Sequence, residues 1–244
     1  MSTYRERAPH PGLQRWVECC WSADYAAGVS GHAVLPDGCL DILYSRQEGV
    51  RVVGAMTEEQ RFDFAAGARL AGVRFRPGMA GRFLKASPAE FTDVIVPLEE
   101  VWGRAGRELA GRLEEAPSPE EWLGVVTEQL PEPVALNPVQ RAIEALTEAH
   151  GNLDLEWLAG QANLSPRQFR RRCLEESGLT PKHLGRVLRF RRACALAASG
   201  APDWAAVAAE TGYFDQAHLI RDFRGFTGRT PMSVLSNTQA AVAG

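Results

Sequence analysis

Between Ser165 and Arg172 the chain reads Ser-Pro-Arg-Gln-Phe-Arg-Arg-Arg, which puts four arginines and a glutamine on one short segment. Arginine suits forked contact with flat acceptor edges and with phosphate. Glutamine offers a donor and an acceptor side by side. The competing reading is a solvated charged face, which is what most charge runs are.

A helix must position these groups, and the residues predict one. Ser165 can cap it, Pro166 suits the first helical position, and Gln168 completes a capping box. Phe169, Cys173 and Leu174 recur at helical spacing and form an apolar stripe, so Arg167, Arg170, Arg171 and Arg172 crowd the remaining surface. Gly178 ends the helix, and Thr180-Pro181 opens a longer one running to about Ser199.

The same punctuation returns 50 residues later. Ser165 maps to Asp215 and Phe169 to Leu219. Cys173 maps to Phe223, Arg171 to Arg221, Gly178 to Gly228, and Thr180-Pro181 to Thr230-Pro231. One supersecondary unit used twice is the economical reading of such a repeat. Each unit reads as a short helix, a tight turn and a second helix with exposed polar groups. The first short helix spans 155–162 behind Asp154, and the second runs from Asp203 to about Thr211. This is the helix-turn-helix pattern, whose second helix enters the DNA major groove. Candidate contacts in the first unit are Ser165, Arg167, Gln168, Arg170, Arg171 and Arg172. In the second they are Gln216, Ala217, His218, Arg221 and Arg224. Arginine suits guanine, glutamine suits adenine, and an alanine can face a thymine methyl. Asp222 is unfavourable beside phosphate and is expected to pair with a neighbouring arginine. Lys182, Arg186 and Arg189 share one side of the connecting helix. They could touch phosphate or pair with acids, and pairing is favoured for Arg189.

The remainder of the chain frames this half. Its 244 residues, 45% hydrophobic and 23% charged, suit one large or two ordinary globular domains. Residues 1–132 carry 14 Lys+Arg against 20 Asp+Glu, and residues 133–244 carry 13 against 10. The charge changes sign at Pro131-Glu132-Pro133, where proline bars helix continuation, so the expected domains are 1–132 and 133–244. No apolar run approaches the roughly 20 residues of a membrane helix. The N-terminus lacks a signal-peptide core, so a cytoplasmic location is expected. The five cysteines have no zinc spacing, and neither a metal nor a cofactor is expected.

Residues 1–76 read as mainly β, with strands near 14–22, 32–36, 40–45, 50–55 and 68–75 separated by turn signals, which suggests a barrel-like sheet. Helices are expected over 77–85, 98–102, 104–114 and 119–130. The fold class is therefore α+β in the N-terminal half and all-α in the C-terminal half.

The stretch from Ala205 to Pro231, with Leu158–Ser165 before it, strongly resembles the AraC/XylS family of bacterial transcription regulators. Gly160 and Gln161 depart from that family's commonest choices. The resemblance covers about residues 137–235 and implies two helix-turn-helix units on a long connecting helix. It also implies specific binding of double-stranded DNA that positions the protein against RNA polymerase or blocks it. Leu35–Ile42 and Gly72–Gly78 resemble a poorly characterised domain that precedes such a half in some regulators. By analogy that domain senses a small-molecule effector, contacts a partner or dimerises. Tandem units permit monomeric binding, while the helices at 104–130 offer a surface for a homodimer.

Trp16, Trp21, Cys39, Asp41, Arg74 and Arg76 are the candidates for an effector pocket. Each has a plain structural alternative: core packing for the tryptophans, burial for Cys39, and mutual pairing for Asp41 and the arginines. No nucleophile–base–orienter set, phosphate loop or metal helix appears, so no catalysis is expected. Two other readings are kept. One is a cysteine-dependent DNA-repair methyl acceptor, although four clustered thiols are missing before the linker. The other is a ligand-binding module whose helical half contacts proteins.

Overall fold

The computed structural model describes residues 2–130, 135–198 and 203–235. The linker Pro131-Glu132-Pro133 and the expected helix end at Ser199 lie outside the described residues.

Eight strands precede the helical half: β1 Ser2–Arg7, β2 Val17–Tyr25, β3 Val29–Val34, β4 Leu40–Ser45, β5 Gly49–Val53, β6 Gln60–Phe64, β7 Ala68–Phe75 and β8 Ile95–Pro97. Six form an antiparallel sheet in the order β1-β2-β7-β4-β5-β8, and β3 pairs with β6 as a separate ribbon. The barrel-like expectation thus takes the form of a large sheet with a ribbon beside it. One sheet face carries Val17, Ile42, Tyr44, Val52, Val73 and Phe75. It packs on helices α1 Gly81–Leu84, α2 Leu98–Trp102, α3 Arg104–Glu115 and α4 Pro119–Glu128. Phe83, Leu98, Leu109, Leu113 and Trp122 fill that layer. Trp122 pairs edge-on with Tyr44 at 4.8 Å and donates its Nε1–H to the Ala116 carbonyl. A smaller cluster joins Cys19, Trp21, Tyr25 and Leu70 to Phe64 of the ribbon, with Tyr25 and Phe64 stacked at 4.2 Å.

The helix expected from Pro77 begins later, because Gly78 is left-handed (φ +79°) and turns the chain against Ile143. Strands β1, β6 and β8 were not expected.

The helical half comprises α5 Pro138–Glu148, α6 Leu155–Gln161, α7 Pro166–Ser177, α8 Pro181–Ala198, α9 Trp204–Glu210 and α10 Gln216–Thr227, and residues 231–235 are again helical. Phe169, Phe190 and Phe223 are fully enclosed in its core. Each such side chain stabilises by roughly 1.5–3 kcal/mol through removal from water. Phe190 of α8 meets Phe223 and Phe226 of α10 at 4.7 and 5.0 Å.

The two halves are docked along a polar seam. Thr92 Oγ1 donates to the Gly178 carbonyl and Ser87 Oγ to the Glu175 carbonyl, both at 2.8 Å. Glu59 N–H donates to the Phe226 carbonyl, and the Glu59 carboxylate pairs with Arg229. His183 donates to the Thr57 carbonyl, and Arg191 pairs with Glu18. The N-terminal half therefore holds the C-terminal ends of both α7 and α10.

Gly151 (φ +83°) closes α5 against α8, and a Cβ there would lie 2.1 Å from the Gly185 carbonyl oxygen. Gly151→Ala should destabilise the protein by roughly 2–4 kcal/mol. Gly160→Ala, in the open interior of α6, should stabilise by roughly 0.5–1 kcal/mol. Urea denaturation of both variants checks the pair, and an unchanged midpoint for Gly151→Ala would contradict this packing.

Candidate nucleic-acid interface

The two copies agree in their caps and their backs. Asn163 (φ 54°) and Gly212 (φ 79°) take left-handed turns after α6 and α9. The following N–H groups of Leu164 and Tyr213 bond back to the Ala159 and Ala208 carbonyls. Ser165 and Asp215 then cap α7 and α10 by accepting from Gln168 N–H and His218 N–H. At the far ends Gly178 (φ 76°) and Gly228 (φ 68°) are left-handed C-caps. Ser177 and Thr227 repeat one motif, donating to the carbonyl four residues back and accepting from the N–H two residues on. The second turn has one more residue between its left-handed position and its cap. Phe214 lies there and is 92% exposed.

Burial of Phe169, Cys173 and Ser177 turns the opposite side of α7 outward. Arg167, Gln168, Arg170, Arg171 and Arg172 are exposed there, while Leu174, expected in the apolar stripe, is exposed as well. Arg171 centres the outward face, with Arg167 and Gln168 beside it and Arg172 and Arg170 on opposite flanks. Gln168 is partly engaged. Its Oε1 accepts from Ser165 N–H at 3.0 Å and from Ser165 Oγ at 2.8 Å, which leaves Nε2 to donate. Arg171 and Arg172 both reach Glu175, at 3.0 and 3.1 Å. The spacing of three and four residues could have revealed Glu175 in the sequence. Such exposed pairs are worth about 0.5 kcal/mol or less, so they yield readily to a stronger anion.

On α10 the exposed set is Gln216, Ala217, Arg221 and Arg224. His218 is half-buried, with its ring edge-on to Tyr213 at 5.1 Å. Asp222 lies inward and accepts from Arg186 Nε and Nη2 at 3.0 and 2.8 Å. Arg186 also lies over the Phe226 ring, and Arg189 donates to the Gly151 carbonyl. Arg186 and Arg189 thus brace the fold, while Lys182 is exposed.

The six effector candidates do not share one cavity. Trp21 Nε1–H and Arg74 Nε–H both donate to Asp41 Oδ1 at 3.2 Å. Burial pushes the Asp41 carboxyl above its ordinary range, with Arg74 opposing that shift. Cys39 is buried beside this cluster, and its N–H donates to Asp37. Trp16 instead packs edge-on against Phe83, and Arg76 binds the Gln14 carbonyl and Glu18. Burial raises the thiols as well, Cys19, Cys173 and Cys194 to about 12 and Cys39 well above its usual value.

Two like-capped helices with polar faces, backed by one core, form a pair of helix-turn-helix units, the architecture that DNA-binding proteins use to enter the major groove. Residues 158–237 match the family described as helix-turn-helix domain, and residues 5–97 match a domain of unknown function (DUF6597). More particularly, the chain carries an AraC-type helix-turn-helix domain behind a DUF6597 domain. Solved structures similar to it include the DNA-binding domain of the transcription factor AdpA in complex with a target DNA. That match has 25% identity, covers 43% of this chain and 96% of that one, and has a TM-score of 0.40. The C-terminal domain of AraT from Geobacillus stearothermophilus is 25% identical over 42% of this chain and 86% of its own, with a TM-score of 0.39. ToxT from Vibrio cholerae is 12% identical over 88% and 95%, with a TM-score of 0.41. No curated protein matches the chain.

Asp222→Ala leaves Arg186 half-buried without its carboxylate and removes the ion pair between α10 and α8, while the contacts of Phe190 with Phe223 and Phe226 remain. The expected loss is roughly 3 kcal/mol, near the low end for a broken buried pair because Arg186 keeps some solvent. A double-mutant cycle with Arg186→Ala in urea checks it. Additive losses would show that the pair is not coupled.

Proposed function

We propose that α7 and α10 are two reading heads that address successive major-groove segments on one face of a duplex. The observation that carries this reading is the pair of like-capped helices, each with an exposed polar face and a buried apolar back. In this reading Ser165, Arg167, Gln168, Arg170, Arg171 and Arg172 serve the first segment, and Gln216, Ala217, His218, Arg221 and Arg224 the second. The 18 residues of α8 span about 27 Å. With the widths of the units added, that suits a separation near one DNA turn of about 34 Å.

The reading extends to the whole chain. Residues 1–132 act as the regulatory domain and 133–244 as the DNA-binding domain. The N-terminal sheet and its helices share one main core and α5 to α10 share another, with Ala55 and Leu35 reaching across into the second, which supports a division near the linker. An effector or partner acting on the N-terminal domain would reach both heads through the seam at Thr57, Glu59 and Thr92. The raised thiols speak against a methyl-accepting cysteine, since the thiolate is the nucleophile.

Footprinting the full chain on fragmented genomic DNA at several salt concentrations tests this. A protected region spanning two successive major grooves is expected, with affinity falling steeply as salt rises. Arg171→Ala and Gln216→Ala should each lower affinity for the selected site by roughly 1–3 kcal/mol and relax preference at one position. Unchanged affinity and preference in both variants would remove the assigned faces.

A further inference from the structure

A cleft of about 550 Å³ opens where the N-terminal half meets α5 and α7. One wall carries Arg82 and Lys85, at the end of α1, and the facing wall carries Arg172 and Glu175 of α7. The acids here are already engaged. Glu175 holds Arg171 and Arg172, and Glu176 accepts from Asn137 and Gln140. Arg82 and Lys85 are exposed, and neither has a carboxylate partner among the described residues. They stand in an acidic half with 14 Lys+Arg against 20 Asp+Glu, yet are exposed and held by no acid among the described residues, which leaves both free to take an external anion.

Helical geometry says where that anion lies. Residues turn by 100° each, so Arg172 stands about 100° round α7 from Arg171. A duplex whose groove is centred on Arg171 presents one wall of phosphates on the Arg172 flank. Arg82 and Lys85 continue that flank across the cleft. We propose that Arg82 and Lys85 of the N-terminal domain bind the DNA backbone phosphates beside the segment addressed by α7. The regulatory domain then shares directly in the DNA contact, and its docking against α7 contributes to affinity. This rests on α7 being a reading head.

The test uses the full chain and its footprinted site. Arg82→Ala, Lys85→Ala and the double variant are compared with Arg171→Ala over a range of salt. Each single variant should reduce the slope of log affinity against log salt by about 1, and the double by about 2. Base preference should stay unchanged, and Arg82→Lys with Lys85→Arg should restore the slope. An unchanged slope in the double variant, with Arg171→Ala still impaired, would overturn this proposal and leave the reading head standing. No effect from Arg171→Ala either would remove both. Inorganic phosphate, titrated without DNA, separates the remaining source of anion. Saturable binding lost in the double variant, with the DNA slope unchanged, would make the cleft a small-anion site and overturn the backbone assignment.

Discussion

Helix α8 is the constraint on which the rest of the molecule depends. Leu184, Val187, Leu188, Phe190, Ala193 and Ala197 are buried along its length, so it is covered on most sides. The first unit packs on it through α5 and α7, and the second through Phe223 and Phe226. The N-terminal half lays Gly38 against Leu184 and Val187 and ties Glu18 to Arg191. Close-packed side chains cannot slide by fractions of a residue without opening voids. The spacing of the two polar faces is therefore set by one helix rather than by a hinge.

The seam has a different character from the cores on either side. Its bonds go largely to main-chain carbonyls of Glu175, Gly178 and Phe226, at or just past the ends of α7 and α10, where helical carbonyls lack internal partners. Thr92 and Glu59 stand in for water at those ends. Apolar contacts lie beside these bonds, since Ala55 and Leu35 reach into the helical core, and the Glu59–Arg229 pair is largely buried.

Much of the helical half was legible because its signals are local. Caps at Asp154, Ser165, Asp203 and Asp215 and stops at Gly178 and Gly228 each act within a few residues and recur in the 50-residue repeat, and each stands where expected. The missed strands carry no such signal. β1, Ser-Thr-Tyr-Arg-Glu-Arg, is a sheet edge with little to bury, β8 has three residues, and β6 belongs to the small ribbon. β2 is buried at three successive residues, Trp21, Ser22 and Ala23, because helices cover one sheet face and Trp21, Tyr25 and Phe64 cluster on the other. Its alternation is blurred for that reason. At the interface the exposed arginines could be named from spacing. Their engagement with Glu175, and the docking of Thr57, Glu59 and Thr92, depend on contacts that only the folded chain makes.

The capping box of α7 has a consequence for how a base is discriminated. The Gln168 carboxamide oxygen already holds Ser165, and Arg171 already holds Glu175. Contact with a base edge is then an exchange of partners, and an exchange nets only about 1 kcal/mol per bond. A base that matches both groups returns everything that was broken. A base that matches one leaves the other side chain without a partner at the base edge, while Glu175 keeps Arg172 in either case. Discrimination under the proposed reading comes as much from what a wrong base fails to repair as from what the right base supplies.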